Sequence, residues 1–196
     1  MVLELSRGHP SRRKRVHAAY YRLSRALDRG AIDLPTMYRR LRREFAWIPN
    51  YPAFRSWVRG RSLSVIASVV RALRRLKESA RLRIVLASNI SHAVWTGLEE
   101  KFHLSSLSDR AVLSYRVRAL KPERAFLRQM QRAARVPLER TLFLDDAGSN
   151  VRRARRYGFP SRVVRGGAET VQILEELRRP PPGFPRALGR SPRRAV

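Results

Sequence analysis

The chain has 196 residues, no cysteine, and 43 Lys plus Arg against 15 Asp plus Glu, which gives a formal net charge of +28. The lack of cysteine excludes disulfide frameworks, thiolate zinc sites and cysteine nucleophiles. A hydrophobic content of 43% is normal for a globular protein and argues against disorder along the whole chain. The length suits one core-bearing domain plus a small appended element.

The first residues are basic and contain only a short apolar run. Met1–Leu5 is apolar, but Arg7 and the basic residues 12–15 follow at once, so neither a secretory leader nor a membrane-spanning helix fits. We therefore expect a basic N-terminal segment over residues 1–11, a cytoplasmic location and no membrane partner.

Residues 12–59 predict a small all-helical unit. Apolar residues recur every three or four positions between residues 12 and 27, which places them on one side of a helix. Asp28–Gly30 ends that helix, and Pro35 suits the first turn of a second one. Two prolines then interrupt the pattern, and residues 47–57 indicate a compact helical corner.

Strands and helices alternate from residue 60 to residue 179. Short apolar runs suit buried parallel strands, and each is flanked by segments of helical periodicity. The alternation predicts an α/β domain, a Rossmann-like parallel sheet covered by helices on both faces. The predicted strands are 84–87, 111–115, 141–144 and 161–164, and the predicted helices are about 65–76, 91–102, 122–134, 149–157 and 168–177.

Residues 180–196, rich in Pro, Gly and Arg, predict a disordered basic tail. The charge of the whole chain has two interpretations. A positive surface attracts phosphate-bearing partners and binds nucleic acid without reading its sequence. The alternative is a compositional preference for arginine, because the arginines are scattered over nearly every predicted helix and form no single stripe with interleaved aromatic residues.

Polar residues follow the predicted strands, and ligands of doubly wound sheets bind outside the carboxyl ends of strands. Ser88–Asn89 offers a hydroxyl and an amide that can bind an oxyanion beside backbone N–H groups; an ordinary helix cap is the alternative. Lys121 precedes a helix, where a compact ammonium suits phosphate; an exposed loop lysine is the alternative.

Two adjacent carboxylates, Asp145 and Asp146, follow the third predicted strand. Neighbouring carboxylates repel each other unless a cation or hydrogen-bond donors compensate them. A hard divalent ion such as Mg²⁺ is their natural partner. A helix cap explains one of the two aspartates, but it does not explain both well.

Three strand-end motifs together resemble motifs two, three and four of the haloacid dehalogenase (HAD) superfamily, in the same order. Residues 20–57, including Arg29-Gly30-Ala31-Ile32, are similar to the helical cap of the subclass that contains small-molecule phosphatases and dehalogenases. We therefore expect a helical cap over residues 12–59 and an HAD-like core over residues 60–179. The motifs are Ser88-Asn89, Lys121-Pro122-Glu123 and Phe143-Leu144-Asp145-Asp146 with Gly148 and Asn150.

The resemblance implies a fold in which an aspartate attacks phosphorus or carbon and water hydrolyses the covalent intermediate. It implies a Mg²⁺-dependent phosphatase acting on a small phosphorylated substrate. The implied roles are phosphate binding by Ser88, Asn89 and the catalytic Lys121, Mg²⁺ ligation by Asp145 and Asp146, and support by Gly148 and Asn150.

The family's first motif, an apolar strand ending in Asp-x-Asp, is not found in this sequence. The first core strand is therefore expected to be absent, through a start site assigned too late, a truncated gene or a pseudoenzyme. One hypothesis is an HAD-like hydrolase that lacks its nucleophile as written. The other is a catalytically inactive basic protein that binds phosphorylated ligands or nucleic acid. A sheet without its central strand is also expected to favour a homodimer.

Overall fold

The computed structural model describes residues 10–62, 64–79 and 82–179. Most of the predicted basic N-terminal segment and the whole predicted basic tail therefore lie outside the described residues. No helix in the described ranges is long and apolar enough to cross a membrane.

The first three helices, which we call the cap, pack around one apolar cluster that includes Met37, Leu41 and Phe54. The second helix begins where the sequence predicts, because the Asp33 carboxylate accepts a hydrogen bond of 2.8 Å from the Thr36 amide. The third helix begins at Tyr51 and continues beyond the predicted corner of residues 47–57. Pro52 does not interrupt it, because a proline is tolerated in the first turn of a helix. The helices are α1 (Pro10–Asp28), α2 (Leu34–Glu44) and α3 (Tyr51–Ser62).

The rest of the described chain alternates helices with short strands, as predicted. Three predicted strands are one residue shorter in the structure. The strand predicted at 111–115 ends at Leu113, because the chain enters a short helix at Ser114. The elements are α4 (Ala67–Glu78), β1 (Val85–Ser88), α5 (His92–Phe102), β2 (Arg110–Leu113), α6 (Ser114–Val117), α7 (Arg124–Ala134), β3 (Phe143–Asp145), α8 (Gly148–Tyr157), β4 (Ser161–Val163) and α9 (Gly167–Arg178), with 3₁₀ turns at Leu104–Leu107 and Leu138–Arg140.

The strands form two parallel pairs rather than the single sheet that the sequence predicts. β1 pairs with β2 in the register Leu86 to Ala111, and β3 pairs with β4 in the register Leu144 to Arg162. Among the described strands, no backbone ladder joins β1 to β3. The chain is thus α/β, as expected, with its strands divided between two half-sheets.

The two half-sheets share one apolar core although they share no ladder. Side chains from all four strands belong to one apolar cluster, to which the buried face of α7 contributes Phe126, Leu127 and Met130. β1 and β3 each have a second edge that no described strand covers, and the Lys121 ammonium bonds both the Ala87 carbonyl oxygen of β1 and Asp145 at the end of β3. We call these two uncovered edges the inner edges.

The backbone N–H and C=O groups of successive residues in a strand point to opposite edges, which identifies the residues whose groups lie at the inner edges. The Ile84 carbonyl accepts hydrogen bonds from residues entering β2, so Val85 and Ala87 direct their backbone groups the other way. The Phe143 amide bonds Pro160 and the Asp145 carbonyl bonds the Val164 amide, both toward β4. The backbone groups of Leu144 therefore point away from β4, at the inner edge of β3.

The cap touches the core at a glycine whose environment excludes any side chain. Gly30 has a φ of +70°, and a Cβ there would lie 2.5 Å from the Tyr115 carbonyl oxygen. Gly166 also has a positive φ, of +99°, but a Cβ there would meet nothing within 4 Å. An alanine at either position would have the same kind of backbone strain, but only an alanine at residue 30 would also clash with the core.

Gly30→Ala is expected to lower the free energy of unfolding by more than Gly166→Ala does. Positive φ costs an alanine about 1 kcal/mol in either place, but only at residue 30 must the cap also move away from Tyr115. Urea denaturation of both variants measures the difference. Equal losses would show that the cap does not rest on the core at Gly30.

Candidate functional site

The candidate site lies at the carboxyl ends of β1 and β3, where one ammonium bridges the two half-sheets. Lys121 Nζ donates to the Ala87 carbonyl oxygen at 2.9 Å and to Asp145 Oδ2 at 2.7 Å. Both side chains are largely buried, with 14% and 2% of their surface exposed. The sequence therefore placed these two residues correctly at one edge of the fold.

Asp145 is satisfied on both of its oxygens. Oδ1 accepts from the Ala147 amide and from Asn150 Nδ2, each at 2.9 Å, while Oδ2 accepts from Lys121. The carboxylate also lies just before α8, whose amino-terminal amides favour a negative charge. Asn150 thus supports the aspartate directly. Gly148 begins α8, and a Cβ there would reach only ordinary contact with Arg152 at 3.4 Å.

Asn89 holds the backbone of Lys121. Its Oδ1 accepts from the Lys121 amide at 2.7 Å, and its Nδ2 donates to the Lys121 carbonyl oxygen at 3.1 Å. Both ends of the amide are engaged, so in this structure Asn89 positions the ammonium. The sequence predicts instead that Asn89 contacts phosphate.

Ser88 and Asp146 complete the predicted set and remain available to a ligand. Ser88 ends β1 and is half-buried, and Asp146 follows β3 and is exposed. Within the described part of the chain, neither side chain has a hydrogen-bond partner. An unengaged hydroxyl and an unengaged carboxylate therefore flank the Lys121–Asp145 pair.

Two contacts that sequence patterns did not reveal tie the cap to this site. Arg29 Nη1 donates to Glu123 Oε2 at 2.9 Å, and Arg29 Nη2 contacts the other oxygen of the same carboxylate. The buried Ser114 hydroxyl accepts from the Ile90 amide at 2.8 Å and donates to the Asp28 carbonyl oxygen at 2.5 Å. The partners in these contacts are 94 and 86 residues apart in the sequence. Local periodicity in the sequence therefore cannot predict them.

A cavity of about 460 Å³ separates the cap from the start of α5. Its lining mixes apolar groups with Arg55, Arg59 and His92. Arg59 is paired with Glu100, whereas Arg55 is exposed and has no ion-pair partner in the described ranges. The cavity lies on the cap side of the site, and the Lys121–Asp145 pair does not line it.

The described residues do not complete a magnesium site. Adjacent carboxylates and an amide oxygen are suitable ligands for Mg²⁺, but the Asp145 carboxylate is already paired with Lys121. No group of three or more His, Asp or Glu side chains in the described ranges is arranged to hold a metal. We therefore derive no chemical step through a metal ion.

Solved structures resemble this one in fold. An HAD family enzyme from Bacteroides thetaiotaomicron has 16% identity and a TM-score of 0.68, covering 79% of this chain and 78% of its own. A predicted HAD-like family hydrolase from Porphyromonas gingivalis has 22% identity and a TM-score of 0.67, covering 80% and 78%. The Bacteroides enzyme has also been crystallised with magnesium and inorganic phosphate; that structure has 17% identity and a TM-score of 0.63, covering 72% and 74%.

No family model and no curated protein matches the sequence. At 16% to 22% identity, the solved structures show the fold alone. The chain has the fold of the HAD superfamily, which confirms the fold that the strand-end motifs imply.

Removal of the ammonium is expected to destabilise the chain strongly. Lys121→Met leaves Asp145 buried without its cation, and breaking a buried pair costs about 3 kcal/mol. The matched control is Arg22→Met, which breaks the exposed pair with Glu44 and costs at most about 1 kcal/mol. Urea denaturation measures both variants, and losses of equal size would contradict the bridging role.

The stability of the cap junction is expected to depend on pH. Burial raises the pKa of Asp28 from 3.8 to about 6. Because the native state holds this proton more tightly than the unfolded state, the contribution of Asp28 is fully present below pH 3.8 and is lost as pH rises through about 6.

Asp28→Asn is therefore expected to raise the melting temperature at about pH 7.5 and to change it little at about pH 4. Each pKa unit corresponds to about 1.4 kcal/mol, so a shift from 3.8 to about 6 corresponds to a gain of the order of 3 kcal/mol. Asp33→Asn is the control of opposite sign, because hydrogen bonds from Thr36 lower the pKa of that exposed carboxyl. It should destabilise the chain near neutral pH.

Proposed function

We propose that this chain binds a small phosphorylated molecule at the carboxyl ends of β1 and β3, on a fold derived from a Mg²⁺-dependent phosphatase. The observation that carries the proposal is the Lys121 ammonium, which is buried, fixed and located where the two half-sheets meet. The structure of the Bacteroides enzyme with magnesium and inorganic phosphate supports phosphate as the ligand chemistry.

The ammonium keeps one donor for the ligand. A lysine ammonium has three N–H groups, and the Ala87 carbonyl oxygen and Asp145 use two of them. The third can donate to a phosphate oxygen. The Ser88 hydroxyl at the end of β1 adds a second donor, and Asn89 keeps the lysine backbone in place.

The described residues offer no nucleophile. Asp145 is the only fully buried carboxylate among them, and both of its oxygens accept hydrogen bonds. Asp146 is exposed, and no hydrogen bond in the described chain orients it. Without covalent catalysis, the remaining groups can position phosphate and compensate its charge. We therefore propose binding without appreciable turnover by the chain as written.

The cavity between cap and core supports a small organic ligand. Its volume of about 460 Å³ falls in the range of pockets that hold small molecules. Arg55, exposed at its rim, and His92, at the start of α5, supply polar groups beside the apolar lining. We propose that the organic part of the phosphorylated ligand occupies this cavity.

The proposal predicts phosphate binding without phosphatase activity. Isothermal titration with inorganic phosphate should show saturable binding, which Ser88→Ala weakens by roughly tenfold through the loss of one hydrogen bond to a charged group. This variant removes a hydroxyl that bonds nothing in the described chain, so the fold should persist. Hydrolysis of p-nitrophenyl phosphate with Mg²⁺ should stay at the background rate.

Two outcomes would contradict this proposal. Phosphate binding that is unchanged in both Ser88→Ala and Lys121→Met would place the ligand elsewhere. Robust hydrolysis that is lost in Asp146→Ala would show that a described carboxylate acts as the nucleophile after all.

A second candidate function is a basic protein that binds nucleic acid. Its support is the charge of +28 and the large number of arginines that have no acidic partner in the described residues. A nucleic acid would bind where these arginines are clustered on the surface of the fold.

A further inference from the structure

The arginines of α7 and α8 are arranged in a way that their sequence spacing does not reveal. The inner face of α7 is apolar and packs on the strands. Its outer face carries exposed arginines at intervals of three or four residues, and α8 lies beside it with two more. The six residues are Arg124, Arg128, Arg132, Arg135, Arg153 and Arg156.

These six arginines line one groove between α7 and α8. Two adjoining depressions of about 510 and 580 Å³ form the groove, and they share Gln131 and Tyr157 in the middle. Tyr157 donates to Gln131 Oε1 at 3.3 Å, which joins the two helices at the floor. We call this feature the arginine groove.

The arginine groove gathers six arginines without acidic partners around two adjoining depressions. Other exposed arginines, such as Arg40, Arg43 and Arg74, also lack an ion pair in the described ranges, but they line neither depression. A third set, Arg22, Arg29, Arg59, Arg75, Arg162 and Arg178, forms ion pairs with glutamates. Within the described chain, none of the six groove arginines has an ion pair or a hydrogen bond, and no acidic residue lines the groove. Even Glu139, next to the lining residue Leu138, pairs with none of them.

We propose that the arginine groove binds the phosphate backbone of a single-stranded nucleic acid. Four residues of helix advance about 6 Å, so α7 presents guanidinium groups as a row rather than as a point. Guanidinium groups pair with phosphates in a bidentate manner. A positively charged groove that follows the backbone and contains an aromatic ring is the arrangement used by proteins that bind single strands.

The aromatic ring that lines both depressions favours a single strand over a duplex as the partner. The half-buried Tyr157 stacks on Phe159 with centroids 5.9 Å apart, and it gives the floor an aromatic group that unpaired bases can contact. This site is separate from the Lys121–Asp145 pair and does not depend on phosphate binding there.

The test compares two variants of the full chain that lose the same charge. One carries Arg128→Gln, Arg132→Gln and Arg156→Gln in the arginine groove. The other carries Arg40→Gln, Arg43→Gln and Arg74→Gln, three exposed residues of α2 and α4 outside the groove that form no ion pair in the described ranges. Melting temperatures verify that both variants fold.

Fluorescence anisotropy with a labelled oligonucleotide of about 20 nucleotides then measures affinity between about 50 and 200 mM NaCl. The groove variant should lose roughly tenfold or more in affinity at about 100 mM NaCl, and the slope of log K against log salt should fall by about 2, as expected for three lost phosphate contacts. The control variant should lose less than about threefold.

Three results would overturn the proposal. Equal losses in both variants would show that overall charge, and not the arginine groove, attracts the nucleic acid. Undetectable binding of the single strand by the parent chain would remove the function itself. Tighter binding of a duplex of the same length would assign the surface to a different class of nucleic acid.

Discussion

The Lys121–Asp145 pair is the interaction on which the fold and the candidate site both depend. No described ladder joins β1 to β3, so one ammonium and the apolar face of α7 connect the two half-sheets. In the proposed function, the same ammonium binds the phosphate of the ligand. One nitrogen would then have both a structural and a ligand-binding role, because its third N–H remains for a ligand.

The cap is coupled to this pair through the loop that carries it. The Glu123 carboxylate accepts hydrogen bonds from both terminal guanidinium nitrogens of Arg29. Its Oε2 also accepts one from the Leu120 amide at 3.3 Å. Asn89 holds the intervening Lys121 backbone from the side of β1. The loop that carries Lys121 is therefore held by the cap through Arg29 and by β1 through Asn89. A movement of the cap would displace Glu123 and, with it, the neighbouring Lys121.

Local patterns predicted the elements and the strand-end residues, because helical periodicity and apolar runs reflect burial directly. Lys121 and Asp145 lie together at one edge of the fold, as the strand-end pattern predicts. Four features escaped prediction: the role of Asn89, the Arg29–Glu123 pair, the Ser114–Asp28 contact and the alignment of arginines on two different helices. Each of these features depends on which helices and strands pack beside one another. The local spacing of residues in one sequence does not show this. The division of the described strands into two half-sheets also differs from the single sheet that the sequence predicts.

Hydrogen exchange at the inner edges tests the central claim most directly. The amides of Val85, Ala87 and Leu144 face the inner edges, whereas those of Leu86 and Phe143 face β2 and β4. The account predicts that the first three exchange much faster than the other two, because no described strand pairs with them. Equal protection of all five amides at low protein concentration would contradict it, since another segment would then complete the sheet between β1 and β3.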